Sequence, residues 1–197
     1  MINRLLQIAA LVLALALSAQ AETWNFDKAH SSIGFSAQHM LISSVSGKFE
    51  DYDGAVIFDS KSPEKGSAEI TIQVKSINTD NVTRDNHLKT SDFFEADKYP
   101  TITFKSTKIT KIDEKNFTMT GDLTMKGVTK SVTLQGKLNG IVVDPWGMTR
   151  AGFTMTGAIN RHDYNIAWDN KLQDGSLIVG EQVDLNLHVE VTKVESK

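Results

Sequence analysis

The sequence predicts an all-β domain. Three observations carry that prediction: apolar residues recur at every second position through most of the chain, turn-forming dipeptides punctuate the runs, and no helical period is sustained beyond the opening segment. Alternation of this kind marks a strand with one apolar face, because successive side chains of an extended chain point to opposite sides.

Residues 1–21 stand apart. Arg4, the apolar run from Ile8 to Leu17 and Ala19-Gln20-Ala21 form the three regions of a secretory signal peptide, so the domain is expected to span residues 22–197. The run has about half of the roughly 20 apolar residues that a membrane-spanning helix needs. Of the 21 Lys and Arg residues only Arg4 falls in this leader, so the remaining 176 residues carry 20 basic and 24 acidic groups, a formal charge of −4. That balance argues against a nucleic-acid partner and against charge-driven binding to anionic membranes. No later stretch is apolar enough to span a bilayer as a helix, so an exported protein without stable membrane insertion is expected. The absence of cysteine excludes a disulfide framework and a lipid-modified N-terminal cysteine, and leaves the core alone to hold the fold.

Taken in order, the first strand is read from Ile33, Phe35 and Ala37, and a less regular strand pair from Val45 to Asp59 with a turn signal at Asp53-Gly54. Ala68, Ile70, Ile72 and Val74 make the next, followed by Ile102 and Phe104. Phe117, Met119, Leu123 and Met125 share one parity, as do Val132, Leu134 and Leu138, then Ala151, Phe153, Met155 and Ile159. Val183, Leu185, Leu187, Val189 and Val191 close the series, and further turn signals fall at Lys126-Gly127, Asp144-Pro145 and Asp174-Gly175. Runs of this length join readily as a meander, and a meander of long strands can close into a barrel, which removes its exposed edges. Gly121, Gly136 and Gly157, inside the runs, suit the bends of a barrel wall. A two-sheet sandwich would show the same alternation, so pattern alone leaves both open.

The segment from Asp80 to Lys98 breaks the rhythm. It is read as a long crossover carrying short helical turns, one capped by Ser91 with Glu95 in its early turns, and pinned to the barrel by Phe93 and Phe94.

Catalytic motifs with known mechanics are missing: there is no thiol, no Gly-x-Ser-x-Gly elbow, no His-Glu-x-x-His helix and no phosphate loop. The five histidines form no spaced pair, so no metal site and no cofactor is expected. His39 shares the parity of the first apolar face, where a buried imidazole needs a partner. Arg84 with Asp85 and His87, and Arg161 with His162 and Asp163, are read either as exposed ion pairs or as polar groups at a pocket mouth. The Met and Phe positions, with Trp146 and Trp168, are read either as plain core or as the lining of an apolar site.

Asp27-Lys28-Ala29-His30-Ser31-Ser32-Ile33-Gly34-Phe35, Gly47-Lys48-Phe49, Arg84-Asp85, His87-Leu88, Asp92-Phe93-Phe94, Tyr99-Pro100-Thr101-Ile102-Thr103-Phe104 and Gly121-Asp122-Leu123-Thr124-Met125-Lys126-Gly127 occur in that order, followed by Arg161-His162-Asp163-Tyr164. This set resembles the YceI-like family across essentially the whole domain; Asn86 stands where that family commonly has glycine. The resemblance implies an extended eight-stranded antiparallel lipocalin-like β-barrel with the helical crossover at about residues 80–98. It further implies a periplasmic or secreted binding protein, not an enzyme, holding a polyisoprenoid or similar long-chain amphiphile. Phe35, Phe94, Phe104, Met125, Phe153 and Met155 are then the expected apolar lining, with His39, Arg84, His87 and Arg161 as its polar contacts. Carrier, storage and scavenging roles all fit, and homodimerisation stays open. The rival readings are an enzyme on such a lipid, with His87 or His39 as base and Asp85 or Asp27 orienting it, and a filled module that binds a partner on its surface.

Overall fold

Which strand bonds to which decides whether an alternating sequence becomes a barrel or a sandwich. The computed structural model describes residues 22–59 and 62–195, and the expected leader lies outside them. The strand segments are β1 Glu22–Phe26, β2 Ser32–His39, β3 Ser43–Phe49, β4 Tyr52–Phe58, β5 Ser67–Gln73, β6 Ile77–Asn78, β7 Thr101–Lys111, β8 Asn116–Met125, β9 Val128–Val143, β10 Thr149–Asn160 and β11 Val179–Lys193.

All neighbouring pairs are antiparallel, and three successive pairs of segments act as single bent strands. β1 pairs with β4 while β2 pairs with β3; β5 pairs with β4 while β6 pairs with β3. The ring then runs through β7, β8, β9 and β10 to β11. β11 closes it by bonding β2 along Val179 to His188 and β1 along Val191 to Lys193. The result is a closed eight-stranded antiparallel barrel, so the alternative of a sandwich is set aside.

Two details of the expected wall are corrected. The stretch from Val45 to Asp59 is one bent strand whose halves do not pair with each other, and Asp53-Gly54 lies inside β4 instead of turning. Gly54 is there for closeness: a Cβ at that position would lie 2.1 Å from the Glu69 carbonyl oxygen of β5. Lys126-Gly127 does turn the chain, with φ of 48° and 76° at its two central residues and Met125 facing Val128 across it. Two positive φ values in a two-residue loop match the twist of the strands it joins.

The expected crossover occupies residues 79–100 and carries one helix, α1 Val82–Leu88. Its cap is Asn81, whose side chain accepts from the Arg84 amide, and not Ser91; the chain at Ser91 is a turn whose carbonyl serves Lys126. Past α1 the backbone folds on itself, Phe94 N–H donating to Leu88 and Ala96 N–H to Lys89. Phe93 is buried and Phe94 packs against the core from the same end.

Parity then builds the interior. The apolar residues of β8, β10 and β11 face inward together, and a bulge near Thr107 in β7 keeps Ile109 on the inner side after Phe104. Two large rings fit because the neighbouring strand has no side chain under them. A Cβ at Gly121 would lie 2.4 Å from the Phe104 ring, and one at Gly136 would lie 2.3 Å from the Phe117 ring. Such ring-over-glycine pairs let a barrel wall curve.

Replacing Gly121 with Val should therefore force the Phe104 ring aside and cost about 1–3 kcal/mol, lowering Tm by roughly 2–12 °C. In a Phe104→Leu background the same replacement should cost less. Equal costs in both backgrounds, read by thermal denaturation, would disconnect the glycine from the ring.

Candidate functional site

The inward residues do not fill the space they enclose. A cavity of about 230 Å³ runs the length of the barrel, from Phe94, Ile166 and Val179 at the crossover end to Phe58, Pro63 and Phe117 at the other. It exceeds the ~150 Å³ apolar cavity known to stay dry and accept benzene. Its surface is almost wholly hydrocarbon. Edge-on aromatic contacts shape it: Phe49 meets Phe94 at 6.0 Å, and Phe153 meets Phe58 at 5.2 Å and Phe117 at 6.2 Å.

Phe35, Phe94, Phe104, Met125, Phe153, Met155 and Arg161 border this cavity. His39, Arg84 and His87 do not, and the reason is visible in their neighbours. His39 ends β2, opposite Val179 and Ser43 at the rim. Arg84 donates through Nε to Thr79 Oγ1 at 2.8 Å and through Nη2 to the Thr79 carbonyl at 2.6 Å. Asp85 accepts from the amide and hydroxyl of the same Thr79. The charged pair thus fastens the start of the crossover, where a buried threonine and its backbone need partners. His87 Nε2 lies 2.8 Å from Asp92 Oδ2, and its ring stands edge-on to Phe93 and Trp168. The supposed His87 and Asp85 couple is therefore not formed, and Asp27 sits before β2 while His39 ends it.

Among the described residues, Arg161 is the one charged side chain on the cavity border. It is 3% exposed, and its donors are already taken: Nε by the Gly180 carbonyl, Nη1 by Ile166, and Nη2 by Asp169 and Val179. Bonding to Arg161, helped by His162, holds the Asp169 carboxyl below its usual range. The guanidinium ties the 161–180 segment down on the barrel end. Lys126 adds a second tie there, its Nζ donating to the Ser91 and Asn165 carbonyls at 3.0 Å each. Tyr164 beside Arg161 is buried, and burial pushes its hydroxyl up to about 12. The chemistry such a cavity offers is the exclusion of water from an apolar guest.

One ionic knot on the outer wall had no signal in the alternation. Arg150 of β10 bonds Asp27, Asp144 and Glu190, joining the β1–β2 junction, the β9–β10 turn and β11. Asp27, His30 and Glu190 lie within 4.8 Å of one another. The guanidinium already compensates these carboxylates. His30 holds the Asp27 carboxyl low, with Arg150 adding to it, and Asp27 in turn raises the His30 imidazole.

A closed eight-stranded barrel with a long apolar cavity defines a lipocalin-like protein. Residues 24–191 match the YceI-like domain, and the chain belongs to that family. It is 42% identical to protein YceI of Escherichia coli over 175 residues, covering 88% of each chain. The crystal structure of Campylobacter jejuni YceI, 40% identical, superposes with a TM-score of 0.71 over 86% of this chain and 96% of that one. A polyisoprenoid-binding domain from Saccharophagus degradans, 15% identical, shares the fold with a TM-score of 0.65 over 87% and 98% of the two chains.

Arg161→Ala should leave Asp169 and three carbonyls short of a donor and cost about 3 kcal/mol, with Lys at that position restoring less than half of the lost Tm. Full rescue by Lys would show that charge alone, and not the planar fork, is required. The Asp27 and His30 pair sets a pH window. Asp27 is lowered, so its contribution is present above the ordinary carboxylate value of 3.8 and fades as acid protonates it. His30 is raised, so its contribution is full below 6.5 and is lost as pH rises through the folded value above that. The Tm difference between the native protein and His30→Gln should therefore be greatest between about pH 4 and 6.5 and shrink at higher pH. A difference that does not change with pH would remove the ion pair from the account.

Proposed function

We propose that the protein binds one long apolar chain, a polyisoprenoid or similar amphiphile, in the barrel cavity and carries, stores or scavenges it in the periplasm. The observation that carries this reading is the lining: hydrocarbon extends from one end of the barrel to the other, and the single cation on its border is satisfied by its own loop. A guest that gains from such a site is itself apolar over its length. Each buried CH₂ contributes about 0.8 kcal/mol, so a dozen approach 10 kcal/mol, enough to offset much of the cost of association. The ligand bound by the structural neighbour from Saccharophagus degradans supports the isoprenoid class. The signal-peptide pattern of residues 1–21 supports export.

Phe35, Phe94, Phe104, Met125, Phe153 and Met155 are assigned to the guest's chain. The methionines and the facing rings can repack around isoprenoid branches of different shape. The role assigned to His39, Arg84 and His87 is structural.

Native mass spectrometry of the protein from its own host should show one released species of long-chain lipid mass. Met155→Trp should fill the lining and lower uptake of an added polyprenol at least about tenfold, since several CH₂ groups lose their place, while His87→Ala should leave uptake within about twofold. An empty native protein that also refuses added polyprenol would refute the carrier reading and turn attention to the outer surface.

A further inference from the structure

The end of the barrel away from the crossover combines two features that the lipid-binding reading leaves unused. The first is a hollow. A recess of about 20 Å³, bounded by Lys111, Asp113, Glu114, Lys115, Asn116 and Leu138, abuts the main cavity, and the two share Phe58, Pro63 and Phe117 as walls. Phe58, Phe117 and Pro63, the last in a short 3-10 turn Pro63–Lys65 that packs on β7, separate the apolar interior from this recess, whereas the crossover end is covered by residues 79–100 and tied by Arg84, Arg161 and Lys126. The second feature is apolar exposure. Asn116 of β8 pairs with Lys137, and the Leu138 amide bonds to the Lys115 carbonyl, so β9 from Asn139 to Val143 runs on past its neighbour with β10 alone as partner. On this overhang Val142 is 60% exposed and Val143 68%, and Trp146 at the turn is 79% exposed. Ile112, on the adjacent β7–β8 turn beside the recess, is 59% exposed. Leu41, Ile42 and Val82 are the exposed counterparts at the crossover end.

An apolar overhang with a tryptophan at its tip suits the interface of a bilayer, where an amphipathic ring and short aliphatic side chains gain from leaving water. The local charges do not oppose it. Lys111, Lys115 and Lys137 accompany Asp113 and Glu114, and Asp144 is held by Arg150. A long-chain lipid has negligible free concentration in water, so a protein that takes one up must meet the assembly that holds it. We propose that this end docks on a lipid bilayer surface, with Trp146, Val142 and Val143 entering the interface, and that the chain passes between Phe58 and Phe117 through the recess. The proposal rests on the lipid-binding reading for the route, and on the exposed overhang for the contact.

The test uses vesicles of phosphatidylethanolamine and phosphatidylglycerol, with and without brominated acyl chains, and separately the uptake of farnesol from solution. Brominated vesicles should quench the tryptophan emission of the native protein, and that quenching should be lost in Trp146→Phe. Trp146→Ser and the double variant Val142→Ser/Val143→Ser should each weaken vesicle partitioning about tenfold or more, with farnesol uptake and Tm unchanged. Partitioning that is absent in the native protein or unaffected in both variants, with farnesol uptake intact, overturns the docking surface alone. The same holds for a concentration-dependent dimer that ignores vesicles and dissociates in the double variant, which would assign the open edge of β9 to a second copy. Failure of the native protein to take up farnesol would remove the exchange route and the carrier reading together, whatever the vesicles show.

Discussion

β11 is the constraint on which the rest of the structure depends, because it bonds two successive pieces of the same bent strand. Its first part reaches β2 and its last part reaches β1, and only this double attachment closes the ring. A chain without cysteines has no covalent means of holding the two ends of a meander together, so backbone hydrogen bonds and the shared interior must do it. Arg150 reinforces the closure from outside, since its three carboxylate partners come from the β1–β2 junction, the β9–β10 turn and β11 itself. Trp24 and Val191, both nearly inaccessible, pack where those elements meet.

Closure of the wall leaves the ends to be sealed, and the two ends are sealed by different means. At the crossover end the covering is backbone, and backbone brings polar groups that must find partners away from water. Arg84 and Asp85 satisfy Thr79, Arg161 satisfies three carbonyls, and Lys126 satisfies two more. That is why the charged residues of the most motif-rich segment face the crossover and not the cavity. At the opposite end the covering is shorter, the 3-10 turn Pro63–Lys65 together with the side chains of Phe58 and Phe117. Side chains change rotamer far faster than a hydrogen-bonded loop unfolds.

Most of the wall was legible because alternation with period two reports directly on which residues face inward, and Phe35, Phe104, Met125, Phe153 and Met155 follow from it. Phe94 lies in the crossover, where parity has no meaning, and its place in the lining rests on its aromatic ring. Four things escaped. Asp53-Gly54 looks like a turn in sequence, yet the glycine answers to the close approach of the Glu69 carbonyl, which only pairing reveals. Asn81 and Ser91 both qualify as helix caps by residue type, and the choice between them depended on where α1 packs. The neighbours of Arg84 and His87 were not legible because a motif says only that cations are present, and the fold says which acceptors surround them. Arg150 falls outside any period and became visible only as a partner in space.

The cavity itself is the strongest sign that the fold is built around something other than its own stability. Leaving 230 Å³ of apolar space unfilled costs on the order of 5 kcal/mol, comparable with the whole net stability of an ordinary domain. Filling it would take little: Met119, Met125 and Met155 already sit on one side of the interior, and their replacement by bulkier residues is open to any sequence. Instead the chain places glycines under Phe104 and Phe117, which lets those rings lie flat along the wall and keeps the axis clear. A guest that enters gives back the lost contacts and stabilises the folded state by mass action, so occupancy and folding are linked in one equilibrium. On this view the empty and filled proteins differ in stability more than in shape, because the wall is fixed by its ring of hydrogen bonds.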